Sequence, residues 1–395
     1  NNDRGFSFTH YRKRSGKHTS MGRTAKKQPG NNNSEKNAIC CFYYIRYSNI
    51  FRIKDVDKLL NKGDSLFAVA AHSEELANHI LAQNKNVLLF ENGDAFLLDI
   101  STMKKIRIDD ANAVEFFSDL DVVEYVPSKG LYKRFNSHSN DNALIMSEKC
   151  NSCCVMCPYS DNFRSNAHAV SAEWIIKIID YISMYPSHLT ITGGEPTLIG
   201  DGIFDIMELL RQKFPDTEYL FLTNGRIFSC RDYFETFISH MPGDICFAIP
   251  IYGDSPKTHD AITRTDGSFA EAVTGMQNFM KSCIKVEIRI VVSKLNYHNL
   301  KNIARFIAKY LPKACVVNFI GLEMCGNAAR NRNEVWIDYP QAFESMKEAV
   351  DILCSESINV GIYNFPLCAV STPYRHLCKR SISDYKIVYD EMCSE

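Results

Sequence analysis

The residues most able to do chemistry lie in one short stretch, Cys150-Asn151-Ser152-Cys153-Cys154-Val155-Met156-Cys157. Cys150, Cys154 and Cys157 are spaced three and two residues apart, so one tight loop can present three thiolates. Thiolates are soft ligands that select zinc, copper(I) or iron–sulfur clusters over magnesium or calcium. Three protein ligands on a cubane of four irons leave the fourth iron open to a substrate or cosubstrate, which points to a reactive cluster. A second reading pairs Cys150 with Cys153 and Cys154 with Cys157 as two zinc knuckles. Zinc ribbons, however, separate such pairs by roughly 15–20 residues so that they can wrap one metal. Here the pairs abut, which favours the three-thiolate reading.

A second group stands further along the chain. Gly193-Gly194-Glu195-Pro196 offers two glycines that let backbone approach a neighbour closely, with a carboxylate able to receive a cationic amine. Alone it also reads as a tight strand-to-helix turn. Thr223-Asn224-Gly225 adds a small polar side chain after the next apolar run. Tyr252, Asp254, His259 and Asp260 are candidates to line the same mouth, with a plain loop histidine the blander reading of His259. Glu323 is a candidate substrate-side carboxylate, weighed against a salt-bridged surface role.

The elements that must position these groups follow from periodicity. From residue 143 onward, apolar runs alternate with helical patterns. Strands are expected at 143–146, 188–192, 219–222, 245–249, 286–292 and 315–320. Helices are expected between them at 203–214, 232–239, 269–280 and 300–310, with a last one at 339–353 and a further apolar run at 358–362. Ser171 is placed to cap a helix whose apolar face holds Trp174, Ile175, Ile178, Ile179 and Ile182. Strands about 30 residues apart with helical crossovers imply right-handed βαβ units and a parallel sheet. In such sheets the site gathers at the carboxyl ends of the strands, where the cysteine loop and both later motifs fall.

Before this region, residues 38–140 read as a small α+β domain with strands near 39–45, 66–70 and 86–90, a helix at 74–83, and an Asn92-Gly93 hairpin. Residues 1–37 are polar and basic without periodicity and read as a disordered tail, with Met21 a candidate start. Cys40, Cys41, Cys246, Cys283, Cys315 and Cys354 read as core residues, and Cys325 is open.

Composition restricts the classes further. With 395 residues, a net charge of −1 and 45% hydrophobic residues, the chain has room for a large domain and a smaller one. It makes no electrostatic case for nucleic acid or membrane partners. No apolar run approaches the roughly 20 residues needed to span a bilayer. Fifteen cysteines without an export signal favour metal ligation in a reducing compartment, so a cytoplasmic protein is expected.

On these motifs the chain resembles the radical S-adenosylmethionine (SAM) superfamily over about 144–320. Through Ile191-Thr192-Gly193-Gly194-Glu195-Pro196, Leu222-Thr223-Asn224-Gly225-Arg226, Ile249-Pro250-Ile251-Tyr252-Gly253-Asp254, Gly321-Leu322-Glu323, Trp336-Ile337-Asp338, Tyr363-Asn364-Phe365-Pro366-Leu367-Cys368 and Ser381-Ile382-Ser383-Asp384-Tyr385-Lys386 it is similar to the C-type maturase of the His-Xaa-Ser peptide system. The resemblance implies a partial (β/α)6 barrel at 141–356, preceded by the small α+β domain and followed by a cysteine-containing C-terminal extension at 357–395. It implies that Cys150, Cys154 and Cys157 hold a [4Fe–4S] cluster whose open iron binds SAM. Gly193, Gly194 and Glu195 would meet the SAM amino group, Asn224 the ribose and Arg289 the carboxylate. Met156 would stand by the adenine, where many members carry an aromatic residue. One-electron reduction would cleave SAM to methionine and a 5′-deoxyadenosyl radical that takes hydrogen from the substrate, with Glu323 acting there. Cys368, Cys378 and Cys393 fall where peptide-modifying relatives place ligands of an auxiliary iron–sulfur cluster, Cys368 being the best single candidate. The implied partners are a ribosomally made precursor peptide, a flavodoxin- or ferredoxin-like electron donor and a partner maturase. The alternatives are an activase that makes a radical on a partner enzyme, and a non-catalytic iron–sulfur or zinc sensor. The sensor would leave Gly193, Gly194, Glu195 and Asn224 without a role.

Overall fold

The computed structural model describes residues 65–101, 104–108, 116–126, 130–166 and 169–379. The basic tail, the strand expected near 39–45, Cys40, Cys41 and Cys393 lie outside the described residues. The chain first forms a six-stranded sheet from β1 (Leu66–Ala71), β2 (Val87–Glu91), β3 (Asp94–Asp99), β4 (Lys104–Ile108), β5 (Val122–Val126) and β6 (Gly130–Phe135), in the order β4-β3-β2-β1-β5-β6. Helix α1 (Glu74–Ala82) joins the parallel pair β1 and β2, its first turn capped by Ser73, whose hydroxyl accepts from the Leu76 amide. Asn92 and Gly93 turn β2 into β3 with φ of 53° and 84°, the left-handed conformation these residues tolerate best. The sequence reading missed β4, β5 and β6. In β5 four of five residues are buried, so the alternation that marks a half-exposed strand is absent.

A second sheet of seven parallel strands follows: β7 (Ala143–Ser147), β8 (His188–Gly193), β9 (Glu218–Leu222), β10 (Ile245–Pro250), β11 (Lys285–Val292), β12 (Val316–Gly321) and β13 (Val360–Tyr363). Its spatial order is the chain order, so each strand adds to the edge left by the previous one, as in a partial (β/α) barrel. The first six strands are those the alternation predicts. The seventh, on the 358–362 run assigned to the extension, pairs in parallel with β12 and widens the sheet.

The crossovers between β7 and β8 hold α2 (Asp161–Ser165) and α3 (Ala172–Tyr181). They are followed by α4 (Gly202–Lys213), α5 (Arg231–His240), α6 (Pro256–Thr263), α7 (Ser268–Lys281), α8 (Leu300–Tyr310), α9 (Gly326–Arg330), α10 (Arg332–Val335) and α11 (Tyr339–Ser355). Strand β11 shows how the sequence builds two surfaces. Val286, Ile288, Ile290 and Val292 are at most 1% exposed and pack into the main core, whereas Glu287, Arg289 and Val291 line the inner cavity. Between sheet and helices the filling is aromatic: Phe221, Phe228, Phe237, Phe247 and Phe279 form one cluster, with Phe247 stacked on Phe279 at 3.9 Å between centroids.

The two sheets are joined through α3. Trp174 donates its indole N–H to Glu124 Oε1 at 2.8 Å, and Arg134 reaches Glu124 Oε2 at 2.6 Å while lying over the Trp174 ring. Asn86 donates to Phe67 O and to Tyr181 Oη, and Lys85 donates to Ser183. Cys283 and Cys354 are exposed, not core. Cys283 occupies a turn at φ 57°, and Cys354 falls just off the buried stripe of α11. Glu124 on β5 is 3% exposed at its side chain, so removing it strands a guanidinium and an indole N–H together. Glu124→Ala is expected to cost about 3–5 kcal/mol, read as a lower urea midpoint, with Glu124→Gln recovering part of the loss.

Candidate functional site

Strand β7 ends at Ser147 and delivers the chain directly into the cysteine loop. The approach is guided by the two glycines of β8. A Cβ on Gly193 (φ 147°) would lie 2.2 Å from Ser147 O, and one on Gly194 would lie 2.4 Å from Lys149 O. In that space the Gly194 amide donates to Ser147 O at 2.7 Å and the Glu195 amide to Lys149 O at 2.8 Å. The glycines therefore admit backbone, as their type suggests, and the backbone they admit is the stalk of the loop.

The far side of the loop is held by two other segments. Cys153 and Val155 amides donate to Thr263 O and Ile262 O at the end of α6. Asn327 on α9 donates its side-chain amide to Cys154 O (3.2 Å) and Asp161 Oδ1 (2.9 Å), and its backbone amide donates to Cys157 O. Asn331 donates to Val155 O at 2.8 Å. Asn224 Nδ2 meets Asn151 Oδ1 at 2.6 Å, and Arg226 donates to Asn151 O.

Cys150, Cys154 and Cys157 line one cavity of about 290 Å³ at the carboxyl ends of the barrel strands. Cys153 is exposed and does not. Met156, Gly193, Gly194, Asn224, Arg289 and Glu323 line the same cavity. Glu195 does not line it. Its carboxylate is 1% exposed and accepts from Thr223 Oγ1 (2.8 Å), the Asn224 amide (2.8 Å) and Thr197 Oγ1 (2.8 Å), bracing the ends of β8 and β9 behind the glycines. Burial pushes its carboxyl above the usual range, against those hydrogen bonds. Cys368 stands exposed in the turn after β13, apart from the cavity. Cys325 is buried at the start of α9. Half-buried Cys246 and Cys315 approach to 3.8 Å between sulfurs at the amino-terminal strand ends.

Of the candidates Tyr252, Asp254, His259 and Asp260, Tyr252 alone lines the cavity. Asp254 accepts from Asn299 at 2.7 Å, and Asp260 caps the turn at Gly267 and Phe269. His259 is buried behind Tyr252, stacks on it and accepts the Tyr252 amide at Nδ1. The sequence reading missed Arg164, Glu287, Tyr363 and Asn364, all of which line the cavity. Glu287 was legible from the alternation within β11. Arg164 left no signal, because it depends on the fold of a short helix. Glu287 pairs with Arg289 at 2.6 Å and Asn364 donates to Glu323 Oε1 at 3.0 Å, giving the far wall a polar character.

Burial raises all three thiols. Cys150 is pushed up to about 11, Cys154 rises further as its two neighbours add their charge, and the rise of Cys157 is countered by Arg164. Three half-buried thiols sharing one cavity ionise together most readily around a cation. Among the described residues, no three His, Cys, Asp or Glu side chains are arranged to hold a single ion. Three soft thiols lining one cavity are a donor set that fits an iron–sulfur cluster.

Residues 144–307 match the family model of the Radical SAM superfamily. The chain carries a radical SAM domain. The match starts in β7 and runs through α8, so it includes the cysteine loop, the glycine pair and Arg289, and the superfamily implies a [4Fe–4S] cluster and SAM. Structurally the chain is similar to Streptococcus suis SuiB bound to its precursor peptide SuiA, at 14% identity over 56% of this chain and 48% of that one, with a TM-score of 0.44. It is also similar to anSMEcpe with bound AdoMet (21%, 55% and 63%, 0.40). A third is a domain of pyruvate-formate lyase-activating enzyme from Bacteroides vulgatus ATCC 8482 (14%, 44% and 96%, 0.35). The chain spans about half the length of SuiB. No curated protein sequence matches it. No helix among the described residues is long and apolar enough to cross a membrane.

Burial lowers His259 from 6.5 to about 4. Between those values the unfolded chain holds a proton that the folded protein does not, so stability rises with pH across this window. Acidification from pH 7 to pH 4 is expected to cost about 3 kcal/mol through this residue, and His259→Phe should flatten that part of the urea-midpoint profile.

Proposed function

We propose that this chain is a radical SAM enzyme that modifies a ribosomally made precursor peptide, of the kind the His-Xaa-Ser maturase resemblance implies. The observation that carries the reading is a shared cavity: three thiols and a glycine pair form one wall, and a polar set of Glu287, Arg289, Tyr363, Glu323 and Asn364 forms the other. Tyr252, Glu323, Tyr363 and Asn364 all belong to the strings on which the closer resemblance rests. The sensor alternative gives no account of that second wall.

In this reading Cys150, Cys154 and Cys157 would hold the cluster, whose chemistry when bound would be the one-electron reductive cleavage of SAM. Gly193 and Gly194 offer backbone to the SAM amino end, Asn224 meets the ribose, Arg289 the carboxylate and Met156 the adenine. Glu195 serves by fixing Asn224 through its amide. Met156, Leu222, Val291 and Ile320 exclude water from the space where a reactive species is made. Glu323, oriented by Asn364, accepts a hydrogen bond from the substrate and is the group placed to take a proton from it. The N-terminal sheet, fixed to α3, is the candidate recognition surface for the peptide, by strand addition at an edge. A flavodoxin- or ferredoxin-like protein supplies the electron, and a partner maturase completes the system. Cys368 remains the candidate ligand for an auxiliary iron–sulfur cluster, which would raise the iron content above that of one cluster.

Anaerobic reconstitution, reduction with dithionite and assay of 5′-deoxyadenosine test the reading. Cys154→Ala is expected to abolish both the cluster absorbance and 5′-deoxyadenosine, whereas Cys153→Ala keeps both near wild type. A normal cluster in Cys154→Ala would refute the ligand assignment. Turnover of a peptide rich in His-Xaa-Ser supports the maturase; SAM cleavage that only activates a partner enzyme supports the activase instead.

A further inference from the structure

One cation stands inside the thiol wall itself. Arg164, on the short helix α2, lines the cavity with a side chain only 8% exposed. Its Nη1 donates to Ser152 O at 2.5 Å and its Nη2 to Asp161 Oδ1 at 2.5 Å. Asp161 is in turn gripped by Asn327, whose side-chain amide also donates to Cys154 O. The guanidinium is thus tied to the backbone of the cysteine loop at both ends, directly and through Asn327.

The charges around it are unequal. Arg289 is matched by Glu287, and both side chains are largely buried (18% and 10% exposed). Asp161 is 54% exposed, so water screens its charge far more than that of the guanidinium it meets. Seen from the thiols, the Arg164 pair therefore has a net positive face. Glu195, a buried carboxylate behind the glycine pair, is negative and so works in the opposite sense. Three thiolates on a cubane already make an anionic assembly, and the electron it must accept adds negative charge in a poorly solvated place. A fixed positive charge there favours the reduced state.

We propose that Arg164 is the positioning residue whose buried charge sets the reduction potential of the cluster held by Cys150, Cys154 and Cys157. The inference rests on the cluster reading above, and iron and sulfide analysis separates the two: a wild-type protein that takes up no cluster fails that reading, not this one. Both guanidinium ends are engaged with Ser152 and Asp161, so Arg164 acts through its charge and not as a clamp on the SAM carboxylate.

The test is a redox titration of the reconstituted full chain, followed by the electron paramagnetic resonance of the reduced cluster. Arg164→Gln is expected to load iron as wild type does but to show a roughly tenfold lower reduced-to-oxidised ratio at fixed poise, equivalent to about 59 mV for a one-electron couple. Arg164→Lys, which keeps the charge, should stay within about twofold of wild type. Asp161→Asn should move the ratio upward, by less because Asp161 is screened. SAM binding by the oxidised protein should be unchanged in all three. A wild-type potential in Arg164→Gln overturns the proposal, as does an equal shift in Arg164→Lys, which would assign the effect to hydrogen bonding. Should Arg164→Gln fail to load, the Asp161→Asn titration decides: an unmoved or lowered ratio overturns it.

Discussion

The structure depends on one constraint: the cysteine loop has no regular structure with which to satisfy its own backbone, yet it must be buried enough to enclose a cavity. An unpaired amide or carbonyl in such a place is costly. The solution is to recruit partners from three sides. Glycines at the end of β8 take the incoming stalk, the last turn of α6 accepts two amides, and α9 and the junction between α9 and α10 supply Asn327 and Asn331. Every one of these groups stands at a carboxyl end of the barrel, so the fold serves chiefly to bring those ends together.

That arrangement explains why different parts of the molecule were unequally legible. The three spaced cysteines, the strand–helix alternation and the glycine pair are local patterns, and each has a direct physical reading. Strands β7 to β12 were placed within a residue or two because their apolar runs are long and flanked by helical periods. The short helices α2, α6, α9 and α10 were not visible, because they are held by contacts to the loop and not by amphipathic periodicity. Arg164 and Asn327 depend on those helices and were invisible for the same reason.

Glu195 is the instructive case. Its type and position after two glycines suggest a carboxylate turned toward a ligand amine. In the structure it is covered on all sides and accepts from Thr223, Thr197 and the Asn224 amide. A sequence records that a carboxylate is present at a strand end but not which way the strand end turns it. The outcome was set by Thr223, whose hydroxyl both donates to Glu195 and accepts the Gly225 amide, so that two successive strand ends share one hydrogen-bonded set.

The bond from Asn331 to Val155 closes a separation of 176 residues, and this fixes an order of events in biosynthesis. As the chain leaves the ribosome, its thiols emerge long before the asparagines that shape them. Until β12 and the two helices after it have been made and docked, the loop lacks the partners that hold Cys154 O, Val155 O and Cys157 O. The geometry in which the three thiols meet thus belongs to the assembled fold and not to the short stretch that carries them.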